Sequence, residues 1–472
     1  MKYISTRGEA PPVPFVETLL AGLAPDGGLY LPQAYPRLPD ATIAGFAGRP
    51  YAEVAEAVIA PFLAGGIETP ALREMITAAY KNFRHPAIAP LTQLDSNVFV
   101  LELFHGPTLA FKDLAMQLLA RVIDHVLEAR GERATIIGAT SGDTGAAAIA
   151  AFAGLPQVDV FILYPHGRIS DVQRRQMTTL EADNVHTIAV EGTFDDAQAC
   201  VKNMFNHKAL REELNLCGVN SINFARILFQ TVYYFTCAAV LGGPHRKISF
   251  VVPTGNFGDI FAGWMAKRLG LPIDRLVIAT NSNDILSRTL ESGQYAVQTV
   301  QATQSPSMDI QISSNFERLL FEAQGRDAAA LRRLMAGLRQ SQKFTIETGP
   351  LQTIRDEFDA FSVSEAETTR EIAQSWREAG YLADPHTAVG LCAARKAGHL
   401  GASPLVVLGT AHPGKFPDAI ARATGIRPEP PPQFAGLFDK KERFSILPND
   451  QNEIERFIRA SATTGATKRA AS

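Results

Sequence analysis

The chain places a lysine, Lys112, where a helix should begin. The stretch "HGPTLAFKDLAMQLLARVID" becomes amphipathic from Leu114 onward, with Phe111 and Asp113 flanking the lysine. A helix start carries partial positive charge and favours acids over ammonium groups. That field, with burial beside Phe104 and Phe111, shifts such an amine toward its neutral form. A neutral amine adds to a carbonyl carbon and forms a Schiff base. The plain alternative is a solvated ammonium paired with Asp113 or Glu102.

Three other turns could serve that amine. In "VVPTGNFGDIFAGWMAKRLG" a buried strand ends at Pro253, and Thr254 to Gly258 form a tight turn before a helix. Gly255 and Gly258 allow close backbone approach, and the first helical amides have no internal partners, so they can hold an anion. The lysine of a triphosphate-binding loop is missing, and no G-x-G-x-x-G is present. A single phosphate on a small cofactor fits this cup, as does ordinary strand–helix packing. Asp259 would repel a phosphate and is expected to cap neighbouring amides instead. In "GATSGDTGAAAIAAFAG", Ser141, Gly142, Asp143 and Thr144 form a second concave set of donors suited to a carboxylate or another phosphate. They also suit plain helix capping. In "SPLVVLGTAHPGKF", Thr410 ends a buried strand and could meet one ring atom of a cofactor, while His412 reads as a structural loop residue.

The elements that position these turns follow from hydrophobic periodicity. Strands are predicted at "NVFVLEL", "ATIIGA", "VDVFILYP", "VHTIAVEG", "KISFVVPTG", "RLVIATN" and "SPLVVLGTAHP", alternating with helices. This alternation implies an α/β fold of two parallel-type sheets flanked by helices. Ligands then bind at the carboxyl ends of the strands. Residues 1–90 read as a mainly helical amino-terminal domain, with the helix "YAEVAEAVIAPFL" cut at Pro61. Residues 91–425 form the core of two α/β subdomains. Residues 426–472 form an extension with a stiff "RPEPPPQF" break, the helix "DQNEIERFIRA" and a disordered "SATTGATKRAAS" tail.

Of 472 residues, 46% are hydrophobic and 20% charged, as in a folded globular protein. The net charge of −3 gives no basic footprint for nucleic acid. No apolar run is long enough to span a bilayer, and the opening "MKYISTRGEAPPV" lacks the core of a secretory signal. The expectation is a cytoplasmic protein without nucleic-acid or membrane partners. Four widely spaced cysteines match no zinc module and read as reduced core residues, with no metal site.

Together, "YISTRG", "DGGLYLP", "ELFHGPTLAFKD", "GATSGDTG", "NSINFARI", "PTGNFGDI", "SMDIQISSNFERLL" and "GTAHPGKF" resemble the threonine synthase family over nearly the whole chain. The resemblance is to its long variety from bacteria and fungi. It implies the tryptophan synthase β-like fold, called fold type II, with pyridoxal 5'-phosphate held between the subdomains. It further implies that Lys112 anchors the cofactor and carries protons. Gly255, Asn256, Phe257 and Gly258 would hold its phosphate, with Asp259 at the same loop, and Thr410 would meet its ring nitrogen. Ser141, Gly142, Asp143 and Thr144 would bind a substrate carboxylate, with Arg226 and His105 as candidates near a substrate phosphate. The implied reaction converts O-phospho-L-homoserine and water to L-threonine and phosphate, in a monomer or homodimer. A phospho-lyase giving a keto acid and ammonia, and a non-catalytic phospho-amino-acid binder, are the alternatives. One departure is Gly414 in "HPGKF", where the family leads one to expect alanine.

Overall fold

The computed structural model describes residues 1–398, 403–429 and 431–463. Two sheets dominate. The larger, six-stranded sheet runs in the order Phe358–Ser362, Ile273–Thr280, Ile248–Pro253, Leu405–Gly409, Val98–Glu102, Leu91–Gln93. All its pairings are parallel except that of Leu91–Gln93, which closes one edge antiparallel. The five-stranded sheet runs in the order Ser445–Pro448, Val185–Glu191, Val158–Pro165, Ala134–Ala139, Leu216–Cys217, with every pairing parallel. Central strands such as Val158–Pro165 and Ile248–Pro253 are buried at every position, because helices cover both sheet faces.

The predicted strands are therefore present, and four short ones join them. Phe358–Ser362 interrupts its apolar run with Asp359, and Leu91–Gln93, Leu216–Cys217 and Ser445–Pro448 are too short to show a period of two. The strand Ser445–Pro448 completes the smaller sheet, and the helix Gln451–Ser461 buries Ile454 and Ile458 in that sheet's core. Thr463 binds Asp159 through its amide and its hydroxyl. The expected disordered tail otherwise lies at 464–472, outside the described residues. Pro432–Phe434 forms a tight helical turn rather than an extended segment, since Phe434 packs on Leu109 and Leu437.

The amino-terminal part is mainly helical, as expected, and adds one small sheet. Lys2–Ser5 pairs with Val13–Pro14 and Tyr30–Pro32 in a three-stranded antiparallel sheet. The helix Tyr51–Leu63 passes through Pro61 without a break, because burial of Phe62 and Leu63 retains its last turn. This sheet docks on the helix Phe316–Ala323. The Thr6 hydroxyl donates to Glu317 Oε1 at 2.7 Å, and the Arg7 guanidinium meets Glu317 Oε2 at 3.2 Å. Arg318, wholly buried, donates to the carbonyls of Tyr30 (3.1 Å) and Ile222 (2.7 Å) and to the Asn315 amide oxygen. "YISTRG" and "DGGLYLP" are thus docking segments.

Candidate active site

The strand Val98–Glu102 leads through a loop into the helix Lys112–Arg130. Asp113 closes this entry by accepting from the Thr108 amide (2.8 Å) and hydroxyl (2.7 Å). Gly106 is required here, since a Cβ would lie 2.5 Å from that of Asp113. Lys112 is buried, with its amine 5.2 Å from the centre of the Phe111 ring. Its Nζ donates to Ser307 Oγ at 3.3 Å and lies 3.7 Å from Asp143 Oδ2. Burial lowers its pKa, and the Asp143 charge opposes this while Lys415 and Arg226 reinforce it. The solvated-ammonium alternative fails on geometry. Asp113 is engaged by Thr108, and Glu102 Oε2 pairs with His105 Nε2 at 2.8 Å.

The glycine-rich turn has a cup's geometry. The carbonyl of Gly255 accepts from Ser313 Oγ (2.7 Å), and that of Asn256 accepts from the amide (3.1 Å) and side chain (3.0 Å) of Asn315. With the carbonyls occupied, the amides of Gly255, Asn256, Phe257 and Gly258 have no acceptor among the described residues. Phe257 adopts a φ of 64°, a strained value for a bulky residue. A Cβ at Gly255 would lie 3.1 Å from the Ser307 carbonyl oxygen.

Asp259 does not cap this helix, contrary to the expectation. Its carboxylate accepts from the hydroxyls of Tyr233 and Tyr234 on the neighbouring helix Phe224–Val240, which hold it in the interior. Burial pushes its pKa up to about 7 from 3.8, against the lowering effect of the two tyrosines. A raised carboxyl contributes stability that is fully present below its unfolded pKa and lost as pH rises through its folded one. Asp259→Asn should therefore flatten the fall in unfolding free energy between pH about 4 and about 7. The difference from the parent should reach the order of a few kcal/mol, read by urea unfolding across that range.

The turn before the helix Asp143–Phe152 is organised by Thr140, whose hydroxyl oxygen accepts from the amides of Gly142 and Gly145, both at 2.9 Å. The hydroxyls of Ser141 and Thr144 bind nothing among the described residues, so they are available to a ligand. Asp143 behaves differently from a carboxylate-binding group. Its Oδ1 accepts from Lys415 Nζ at 2.6 Å and from Gln173 Nε2 at 3.1 Å. Burial alone would raise its pKa, yet Lys415 and Lys112 hold it far below the usual carboxylate range. It stays anionic and would repel a second carboxylate, so only its backbone can assist one.

Thr410 follows the strand Leu405–Gly409 and is buried. Its amide donates to Thr387 Oγ1 at 3.2 Å, and Thr387 in turn donates to Asp384. Its own hydroxyl is buried without a partner, which suits the ring atom of a cofactor. Thr410→Val should leave folding intact and weaken cofactor affinity about three- to tenfold, the worth of one hydrogen bond, as read by equilibrium titration of the apoprotein. Arg226 is likewise under-satisfied: Nη1 donates to the Val219 carbonyl at 3.2 Å, while the buried Nε has no partner. Burial pulls its pKa down to about 10.

His105 is not brought to this cluster. It packs against His85 and Phe104 and lines a separate cavity of about 380 Å³ with Arg84, Tyr381 and His412. His412 accepts from the Gly414 amide at 3.0 Å, in keeping with a structural loop residue. A Cβ at Gly414 would lie 2.8 Å from Pro431, which accounts for glycine there. Sequence reading missed Lys415, Ser307 and the Asp384–His386 pair. His386 Nδ1 lies 2.8 Å from Asp384 Oδ1, and its Nε2 accepts from the Ser307 amide at 3.3 Å. Asp309 braces the Ser307 loop by accepting from Asn281 (2.8 Å), Asn283 (3.0 Å) and the Thr303 hydroxyl (2.6 Å).

Comparison with known proteins bears on this geometry. Residues 83–411 match the family model of pyridoxal-phosphate dependent enzymes, residues 2–80 that of the threonine synthase N terminus, and residues 387–458 that of the threonine synthase C-terminal region. The chain is 50% identical to the threonine synthase of Pseudomonas aeruginosa over 98% of this chain and 99% of that one. The chain belongs to the threonine synthase family. The crystal structure of PLP-bound threonine synthase from Brucella melitensis superposes with a TM-score of 0.96, at 58% identity, covering 98% of this chain and all (100%) of that one. Yeast threonine synthase superposes at 0.92, with 38% identity and 98% of each chain covered. The fold is therefore that of the fold type II enzymes, with the larger sheet mixed and the smaller one wholly parallel. Pyridoxal phosphate is the cofactor of this class, and the residues present fit it. Among the described residues the fold offers unbonded amides, an orphaned buried hydroxyl and a buried amine.

Proposed function

We propose that the chain converts O-phospho-L-homoserine and water to L-threonine and phosphate, with Lys112 as anchor of the cofactor and carrier of protons. The observation that carries this reading is the buried Lys112 amine, 3.7 Å from Asp143 and within electrostatic reach of the under-satisfied Arg226. When bound, pyridoxal phosphate supplies the electron sink for carbanion chemistry.

The amides of Gly255 to Gly258 hold the cofactor phosphate, aided by the amino terminus of the helix Gly258–Arg268. The Thr410 hydroxyl would serve the ring nitrogen. A hydroxyl cannot keep a full proton there as a carboxylate would, so bond selection falls to the groups around the substrate. The hydroxyls of Ser141 and Thr144 and the amides of their turn receive the substrate carboxylate. The Lys112 amine would remove protons from the α- and then the β-carbon and later return them. Its depressed pKa suits it to this work as a base. Arg226 faces the departing phosphate, where a cation is worth most in a water-poor site.

No helix among the described residues is long and apolar enough to cross a membrane. A cytoplasmic enzyme acting on a small phosphorylated amino acid, as a monomer or homodimer, belongs to the same proposal. The test is product analysis with O-phospho-L-homoserine. Equal release of threonine and phosphate is expected. Release of a keto acid and ammonia instead would make the chain a phospho-lyase, and binding without turnover would make it a sensor.

A further inference from the structure

The Lys415 side chain is wholly buried, and the division of labour above does not use it. It closes the short turn Pro413–Lys415 just beyond Thr410. From there Nζ donates to Asp143 Oδ1 at 2.6 Å and to the Thr108 carbonyl at 2.9 Å. Thr108 lies in the loop that leads into Lys112, and its amide and hydroxyl both bind Asp113. Asp143 opens the helix after the Ser141–Thr144 turn. One ammonium therefore joins the three loops that carry Lys112, Asp143 and Thr410.

The two carboxylate oxygens of Asp143 are thereby given different tasks. Lys415 and Gln173 occupy Oδ1, which leaves Oδ2 facing Lys112 Nζ at 3.7 Å and Ser307 Oγ at 3.4 Å. We propose that Lys415 is a positioning residue: it fixes the Asp143 carboxylate and the Thr108 loop so that the Lys112 amine has one resting place and one charge environment. The proposal rests on the reading of Lys112 as the cofactor's anchor.

The charged groups facing Lys112 are Asp143 from the helix Asp143–Phe152, Lys415 from its turn, Arg226 from the helix Phe224–Val240 and Asp113 from its own helix. His386 faces Asp143 from the helix Pro385–Ala397. With Lys415 present, Asp143 is shared between two amines. Without it, a repelling cation is gone and the carboxylate acts on Lys112 alone. Both changes favour the protonated amine.

The test is Lys415→Met in the full, cofactor-loaded chain, read as the pH midpoint of the visible absorption band and of the rate of cofactor uptake by the apoprotein. An upward shift of about one pH unit is expected, a tenfold change in proton affinity. A smaller shift is expected in Lys415→Arg, which keeps the cation. The kcat should fall at least about tenfold while the substrate KM changes by less than about threefold, because alignment rather than binding is lost. A lowered thermal midpoint with both pH midpoints unmoved would overturn the proposal and leave Lys415 a structural residue. If Lys415→Met does not fold, Lys415→Arg alone is compared with the parent. A smaller upward shift there, with kcat lowered and KM nearly unchanged, supports the proposal, and unmoved midpoints with unchanged kcat overturn it. Retention of the band in Lys112→Ala would instead remove the reading of Lys112. Loss of the band there, with unmoved midpoints in Lys415→Met, removes this inference alone.

Discussion

Replacing Lys112 with alanine is expected to remove the parent's visible absorption band, leaving at most the shifted band of unlinked cofactor, and to lower turnover by about 10⁴-fold. The amine is both the point of attachment and the group that moves protons, so the two losses come together. The fold should survive. Asp143 keeps Lys415 and Gln173, so no carboxylate is left unpaired. Removing an amine whose burial already lowers its pKa should leave the thermal midpoint unchanged or slightly raised. Lys112→Arg separates charge from chemistry, since a guanidinium keeps the cation and cannot act as a neutral nucleophile. It should be as inactive as alanine. A yellow, active Lys112→Ala protein would overturn the assignment.

Arg226→Met carries the second largest expectation. Losing one member of a buried, hydrogen-bonded charge pair costs about 2–5 kcal/mol. That range corresponds to a loss of roughly 30-fold to 5,000-fold in kcat/KM for the phosphorylated substrate. Inhibition by inorganic phosphate should weaken in parallel. Stability should move the other way. In the free protein the guanidinium is buried with Nε unpaired, so methionine should raise the unfolding midpoint. An Arg226→Met protein with unchanged kinetics and lowered stability would mean that the side chain braces the Val219 loop and nothing more.

The central strands were legible because burial on both faces leaves continuous β-branched runs, as in "VDVFILYP". The glycine-rich cup and Thr410 were legible because βα turns sit where such sheets bind ligands. Side-chain direction was not. Asp259 was misread because its partners, Tyr233 and Tyr234, sit on another helix, and no local rule says which way a buried carboxylate turns. Asp143 was misread for the same reason, since Lys415 is 272 residues away along the chain. His105 was placed by its neighbourhood in sequence, yet the loop turns it toward Glu102. The amino-terminal strands escaped because two to four residues cannot display a period.

The docking of the first residues has a consequence for the order in which the molecule is finished. Thr6 meets Glu317 across 311 residues of chain, and Arg318 gathers the carbonyls of Tyr30 and Ile222. Synthesis delivers the amino terminus first, but its buried acceptor emerges only after most of the chain has been made. Contacts of such range form slowly. This segment therefore waits, with Thr6 and Arg7 still unpaired, for one of the later helices to arrive. Its seating braces the same Asn315 that holds the Asn256 carbonyl, so completion of the cup belongs among the last events of folding.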